Sequence, residues 1–535
     1  MKKTLLSWLL IGGMCLSGTA FAQSDYPTLS QLNQRLQRVA SNTSAELISL
    51  TKTEGGKDIW VLKVGTGLLD QKPAIAVVGG VEGYKVLSVE LAVQFAEKLV
   101  RDHSDALETT TFYIFPNMSP DAYEQYHASL KYERRGNAVS VDHDRDGAPG
   151  GSGYTDLNND GMITMMRVED SMGDYLLSKE DERVLVKADK SKGEAGKYSL
   201  HKESKDDDKD GEFAEDLIEG IAFNKSLTYK FPVFEPLAGD MPVTQKESRA
   251  MLDYLFEQWN IFAFVTFSPA NNLSSPLKYN AGNAKKRVVT SILEKDQAIN
   301  TMVSDLYKET VKQNAYQQDN QGTDGDFFQW AYFHFGRLSF GTPGYWIPEY
   351  KDSTGKGKSN AEANYLAWAD SLGMNDVFVP WTEVQHPDFP GKKVEVGGIK
   401  PFVMTTPPFE KVSEIADQHT EFILKLAEMQ PKLEIHNVKT ESLGNGLTRV
   451  TMDLFNNSAI PTHSEMGEKS RWLRKIRIDI DADAEEIVSG NKIKLINSLG
   501  AYEKSSFRWI IRGAGNVTVK AGASHAGFTS TTIKL

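Results

Sequence analysis

The sequence predicts an α/β domain followed by a small all-β domain, and two observations carry that prediction. An apolar run at 74–78, bounded by Pro73 and Gly79-Gly80, is followed by apolar residues at helical spacing over 89–100 and by a second apolar run at 112–115. Strand, helix and strand in that order imply a right-handed parallel crossover, hence a sheet with helices on its faces. Beyond Pro431 the texture changes to short strands at 433–438, 447–455, 473–480, 493–496, 508–511 and 516–521, separated by Gly, Asn and Asp. That spacing is expected of a β-sandwich.

The elements follow in order. Met1-Lys2-Lys3, the apolar stretch 5–16 and Ala20-Phe21-Ala22 ahead of Gln23 read as a cleavable secretory signal over 1–22, which predicts export to the periplasm or the medium. The stretch is too short for a membrane span, and no later segment has eighteen consecutive apolar residues. The single cysteine, Cys15, lies inside that signal behind Met14, so the processed chain has no thiol for a disulfide, a thiolate metal site or a nucleophile. Residues 28–42 read as a helix and 58–63 as a strand ending at Gly65-Thr66-Gly67. In the 89–100 helix, Leu91, Val93, Phe95, Ala96 and Leu99 form an inward face. A helix at 245–258 leads to a strand at 261–267, and helices follow at 289–313 and 412–429. The expected division is an α/β domain over 23–430, with an acidic insertion at about 140–216, and a sandwich over 431–535. A net charge of −12 excludes nucleic acid as the expected partner, since phosphate binding draws on a surplus of Lys and Arg.

The segment KPAIAVVGGVEGYKVLSVELAVQFAEKLV, residues 72–100, resembles the first metal-binding segment of the carboxypeptidase A-like zinc metallopeptidases. In that family a buried strand delivers a Gly-Gly-x-His-Gly-x-Glu turn carrying two zinc ligands. Phe115-Pro116-Asn117-Met118-Ser119-Pro120-Asp121-Ala122 resembles the family's Asn-Pro-Asp-Gly turn, and Asn224-Lys225 its Asn-Arg substrate pair. Residues 264–272 look like the strand bearing the third ligand, and 340–349 like the strand bearing the catalytic glutamate. The resemblance implies a mixed sheet with helices on both faces and a peptidase site holding zinc through two His and one Glu, with a Glu base.

At the positions the resemblance assigns to that chemistry, this chain differs. The first ligand position holds Glu82, the second Lys85, the third Ser268, and the base position Pro343. An ammonium has no lone pair for zinc, a hydroxyl is a weak ligand, and proline accepts no proton. None of the ten histidines has a Glu three residues later. Glu349 cannot replace the base, because six residues of strand span roughly 20 Å. The swap itself predicts that Lys85 stands in for the metal's charge and pairs with Glu82. On the substrate side, Asn224, Lys225, Arg134 and Arg135 are candidates for gripping a carboxylate, although Lys lacks the two-pronged grip of Arg.

Three loops place oxygen side chains at alternate positions before a glycine: Asp142, Asp144 and Asp146 before Gly147; Asp156, Asn158 and Asp160 before Gly161; Asp206, Asp208 and Asp210 before Gly211. Such loops aim oxygens at calcium, and some members of the family carry an insertion of this kind, so structural calcium is expected as a cofactor. The twelfth positions hold Gly153, Arg167 and Leu217 instead of a bidentate Glu, so these are not complete EF-hands. Trp330, Tyr332, Phe333, Tyr345, Trp346 and Trp381 read as core aromatics. His334, His386, His419 and His463 show no metal spacing, and Ser152 and Ser268 lack the setting of a nucleophile elbow.

Three functions stand at this point. The altered ligand positions point to a carboxypeptidase-fold protein that binds a peptide or similar ligand without zinc hydrolysis. The family points to an active metallocarboxypeptidase with a non-standard metal site. The sandwich could instead be an adhesion or docking domain.

Overall fold

The computed structural model describes residues 25–141, 153–207, 209, 211, 213–214, 219–312 and 322–535. The expected secretory signal lies outside the described residues.

The first sheet is mixed and six-stranded. Its strands in chain order are β1 (Ala45–Lys52), β2 (Asp58–Val64), β3 (Ala74–Val78) and β4 (Thr111–Phe115), then β9 (Ile261–Phe267) and β10 (Leu338–Thr342) after four strands of a second sheet, β5 (Met165–Glu169), β6 (Tyr175–Leu177), β7 (Leu185–Lys187) and β8 (Tyr198–Lys202). The spatial order is β1-β2-β4-β3-β9-β10. The first three pair antiparallel, and β4, β3, β9 and β10 run parallel.

Every residue of β3, β4, β9 and β10 is buried, which is why these strands read as continuous apolar runs. Successive side chains of β3 enter different cores. Ile75 and Val77 pack with the helices α1 (Leu29–Ala40) and α2 (Val86–Asp102) and the later helices Glu294–Thr310 and Val412–Glu428. Ala74, Ala76 and Val78 pack with Lys246–Glu257 and Phe327–Phe333 on the opposite face. The helix expected at 289–313 occupies Glu294–Thr310, because Ile292 and Leu293 are used as buried anchors beside Tyr332 ahead of its first turn.

The second sheet adds β11 (Phe378–Val384) and β12 (Val394–Ile399), in the order β11-β12-β5-β8-β6-β7. The sequence reading contains none of its strands. They are three to seven residues long, and most residues are only half-buried, so neither a long apolar run nor clean alternation marks them.

After Pro431 come β13 (Leu433–Gly444), β14 (Leu447–Asn456), β15 (Ile476–Ile480), β16 (Ile487–Ser489), β17 (Ile493–Ile496), β18 (Lys504–Arg512), β19 (Asn516–Ala523) and β20 (Gly527–Lys534). They form two four-stranded sheets, β13-β14-β18-β16 and β17-β15-β19-β20. Val450, Met452, Trp509, Ile476, Ile478 and Val519 meet in the core between them. The molecule is thus an α/β domain with helices on both faces of its mixed sheet, followed by a β-sandwich. Among the described residues, no helix is long and apolar enough to cross a membrane.

Candidate functional site

The four parallel strands end on the same edge of the sheet, and their last residues fix what lies there. Thr342 is paired with Phe267, so Pro343 and Ser268 leave neighbouring strands side by side, with the Ser268 N–H donating to Thr342 O at 2.9 Å. Val78 pairs with Thr266 and Phe115, so the turn 79–85 leaves from the adjacent strand. Open α/β sheets place ligands at this carboxyl edge.

The turn is built on close backbone approach. Gly80 has φ +61°, and a Cβ there would lie 2.8 Å from the Asn117 Cα; one at Gly83 would lie 2.3 Å from the Ala122 Cβ. The Gly-Gly pair and the 116–122 turn are therefore packed against each other, and α2 starts directly behind them.

Lys85 is the residue before α2 and makes no side-chain cap. It opens onto a cavity of about 230 Å³ that is also lined by Ser88, Pro269, Asn271, Pro343 and Tyr345. The structure thus brings Lys85 and Pro343 to one cavity, with Ser268 one residue from its wall. The Ser268 hydroxyl is buried and has no hydrogen-bond partner among the described residues. Burial lowers the Lys85 ammonium pKa, opposed by the charges of Glu82 and Glu133 and assisted by Arg135.

Glu82 takes a different direction, which corrects the expected ion pair. Its Oε1 accepts from Asn224 Nδ2 at 3.0 Å, and no ion pair within 4.0 Å joins its side chain to that of Lys85. The reason is geometric: Glu82 and Lys85 close a turn through the Lys85 N–H to Glu82 O bond of 3.0 Å. Their side chains then diverge, one to the Asn224 amide and the other over the Tyr84 ring, with the ammonium 5.7 Å from its centroid.

The substrate-side candidates also separate. Asn224 is buried between Glu82 and the Phe327 N–H, which donates to its Oδ1 at 3.0 Å. Lys225 turns away, with Nζ 3.6 Å from Glu235 and 3.3 Å from Pro236 O. Arg134 is used by its own loop, donating to Gly136 O and Asn137 O at 3.0 and 2.6 Å. Of these four, Arg135 shares the Tyr84 ring with Lys85, its guanidinium 5.3 Å from the ring centroid.

Residues that the sequence reading assigns to the core also contribute. Tyr345 and Trp346 line the Lys85 cavity, together with Ile347 and Met404. The first two also line a neighbouring groove with Trp368, Pro407 and Pro408. Their aromatic character gave no means of telling wall from core. Trp330 and Tyr332 are buried as expected, whereas Trp381 stacks on Arg167, 4.4 Å from the guanidinium.

Of the acidic loops, Asp142, Asp144, Asp146, Asp208 and Asp210 lie outside the described residues. In the 156–161 loop the oxygens serve the backbone. Asp156 accepts from the Asp160 and Gly161 N–H groups at 3.1 and 2.8 Å, Asn158 from Asp160 N–H at 3.0 Å, and Asp160 from Met162 N–H at 2.9 Å. Asp206 likewise accepts from Lys209 and Gly211 N–H groups at 2.6 and 3.1 Å.

A zinc ion with a free position for water asks for three His or carboxylate ligands. Here the strand-end residues offer an ammonium, a hydroxyl, a proline ring and one carboxylate already engaged by an amide. Among the described residues no group of three or more His, Cys, Asp or Glu could hold a metal ion. The residues present do not fit zinc.

Comparison with known proteins agrees with the sheet. The zinc carboxypeptidase family model matches residues 32–167, which include Glu82 and Lys85, and a domain of unknown function (DUF8731) matches residues 432–534. No curated protein matches the chain. Solved structures similar to it include carboxypeptidase A from Helicoverpa armigera, 12% identical, covering 65% of this chain and 71% of that one at a TM-score of 0.38. Bovine thrombin-activatable fibrinolysis inhibitor, solved with tick carboxypeptidase inhibitor, is 13% identical over 76% of this chain and 97% of that one, with a TM-score of 0.33. A Pseudomonas aeruginosa metallo-carboxypeptidase is 10% identical over 65% and 69%, with a TM-score of 0.31. Overlaps this loose say nothing about individual residues. The match to the zinc carboxypeptidase family thus covers residues 32–167, which hold the first four strands of the sheet and the turn bearing Glu82 and Lys85.

Proposed function

We propose that the chain is an exported carboxypeptidase-fold protein that binds a peptide-like ligand at the strand-end cavity and does not hydrolyse it through zinc. One observation carries the reading: the edge of the sheet where the family performs its chemistry presents Lys85 and Pro343 to a single cavity. A positive charge at a ligand position repels a divalent cation, and a base position filled by proline cannot take a proton from water. What such a cavity retains is shape, aromatic walls and a charge, which are the elements of a binding site.

The test is metal content and peptide cleavage in protein purified without chelator. The expected outcome is zinc well below one ion per chain and no cleavage that a chelator suppresses. One zinc per chain together with chelator-sensitive trimming of peptides would establish the metallopeptidase instead.

A further inference from the structure

We propose that Lys85 is an amine nucleophile that captures a small apolar aldehyde as an imine within the strand-end cavity. This rests on the reading of the cavity as a binding site without zinc and gives that site a covalent chemistry.

A lysine that attacks a carbonyl needs an amine held by no carboxylate, in a pocket poor in water or beside another cation. Lys85 has these surroundings. Among the described residues its Nζ makes no hydrogen bond and no ion pair within 4.0 Å. The two nearby carboxylates are engaged elsewhere: Glu82 accepts from Asn224 Nδ2 at 3.0 Å, and Glu133 from the Phe402 N–H at 2.9 Å. What lies against the amine is the Tyr84 ring, with Nζ 5.7 Å from its centroid, and the same ring carries the Arg135 guanidinium at 5.3 Å. Burial lowers the Lys85 pKa; the charges of Glu82 and Glu133 oppose this, that of Arg135 assists it, and the lowering prevails. More of Lys85 is therefore free amine at neutral pH than of a surface lysine.

The cavity decides what reaches that amine. It holds about 230 Å³, room for one compact group, and Lys85 is the one charged residue among those lining it. Leu87, Trp346, Ile347 and Met404 make its walls largely apolar, and a neutral carbonyl enters such walls at less desolvation cost than an anion. The Ser88 and Thr405 hydroxyls are already used, donating to Lys85 O at 2.7 Å and to Phe402 O at 3.1 Å. The Tyr345 hydroxyl lines the same space and makes no hydrogen bond among the described residues, which leaves it to hold the carbonyl oxygen. In the step itself, the Nζ lone pair bonds to the carbonyl carbon as the C–O π bond breaks. Both amine protons pass to the oxygen, which leaves as water, and a C=N bond remains. No oxidant or reductant takes part, and water reverses the capture.

The experiment treats the full chain with benzaldehyde or glyceraldehyde at about pH 7, where an ordinary lysine is almost wholly protonated. Imines are trapped with cyanoborohydride, and peptide mapping by mass spectrometry reads each lysine. Lys85 should take benzaldehyde about tenfold or more faster than the average lysine, and its preference for benzaldehyde over the polar glyceraldehyde should exceed theirs. That lead should shrink as pH rises towards about 10.4, where ordinary lysines also lose their protons. Lys85→Arg should abolish the fast labelling and leave the slow labelling elsewhere, with the thermal midpoint retained. In the unaltered protein, excess benzyl alcohol, which fits the cavity but forms no imine, should slow Lys85 alone. Lys85 labelling no faster than other lysines, sharing their preference between the two aldehydes, or labelling at the same rate under benzyl alcohol would overturn the proposal. The same preparation is assayed for zinc and chelator-sensitive cleavage. A zinc-free, inactive protein whose Lys85 labels like the rest defeats this inference alone, whereas chelator-sensitive cleavage with bound zinc defeats the reading beneath it.

Discussion

At the scale of single residues, two positions near the site carry more than their size suggests. Gly83 lies where the 79–85 turn meets the 116–122 turn, and a methyl group there would fall 2.3 Å from the Ala122 Cβ. Neither backbone can retreat without moving the start of α2, so Gly83→Ala should cost about 1–3 kcal/mol, the scale of overpacking. It should also disturb the Lys85 cavity, and chemical denaturation together with probe binding would show both effects. Arg35 is the second. It binds Glu90 at 2.6 Å, with Glu90 only 1% exposed, and reaches Glu97 through Nε at 2.8 Å and a second nitrogen at 2.7 Å. These bonds join α1 to α2. Arg35→Met would strand the Glu90 carboxylate in the core and should cost about 3 kcal/mol, because an unpaired buried charge is far more costly than an absent pair. Adding Glu90→Leu should restore most of that loss, measured as the urea midpoint of the single and double variants.

At the scale of elements, the short helix Glu465–Ser470 of the sandwich docks on the α/β domain. Asp296, from the helix Glu294–Thr310, accepts the N–H groups of Glu465 and Met466 at 2.8 and 3.0 Å and the Tyr332 hydroxyl at 2.7 Å. Beside this arm, His463 and His525 lie with ring centroids 4.0 Å apart, and among the described residues neither nitrogen of His525 has a hydrogen-bond partner. Burial, aided by the nearby Arg337, lowers the His463 pKa from 6.5 to about 4, and burial with His463 and Arg337 pushes His525 well down too. Both histidines therefore stay neutral when folded at pH values where the unfolded chain would take up protons. The His463 contribution is full above the unfolded pKa near 6.5 and is lost as pH falls through about 4, and that of His525 is lost in the same direction. For His463 the full loss is on the order of 3 kcal/mol. Thermal midpoints measured downwards from neutral pH should drop across this window, and His525→Leu should flatten the curve.

At the scale of the whole molecule, the two domains are held by polar contacts that neither could satisfy alone. Arg337 is 3% exposed, and among the described residues no acidic side chain forms an ion pair with it. Its guanidinium instead donates to Ile261 O at 2.8 Å and Phe335 O at 3.2 Å in the α/β domain, and to Trp472 O at 2.9 Å in the sandwich region. Burial lowers its pKa to about 10. Trp472 also stacks on Trp259 at 4.9 Å, and Gly336 approaches Gly467 so closely that a Cβ on Gly336 would lie 2.9 Å from the Gly467 Cα. The chain should therefore unfold as one unit. Asp296→Ala, which leaves the Glu465 and Met466 N–H groups buried without an acceptor, should cost about 3 kcal/mol and split a single calorimetric transition into two. A single transition in that variant would show that the remaining contacts, among them Arg337 to Trp472 O, suffice to couple the domains.

Legibility in the sequence followed burial. The strands β3 and β9 were readable to the residue because they are buried on both faces and bounded by Pro73, Gly79 or the helix before Ile261. The second sheet was not, because half-buried strands of three to seven residues leave no periodic signal. Within the candidate site, the altered identities at Glu82, Lys85, Ser268 and Pro343 were visible as letters. Their directions were not, and an ion pair was expected where two side chains diverge.

The sequence by itself determined the class of fold and the residue types at four positions of the strand-end edge, since residue type decides whether a group can hold a cation or a proton. Only the tertiary structure decided which of those residues share a cavity. Neighbours across parallel strands are set by register, and side chains in a turn are set by whatever distant amide or ring they meet.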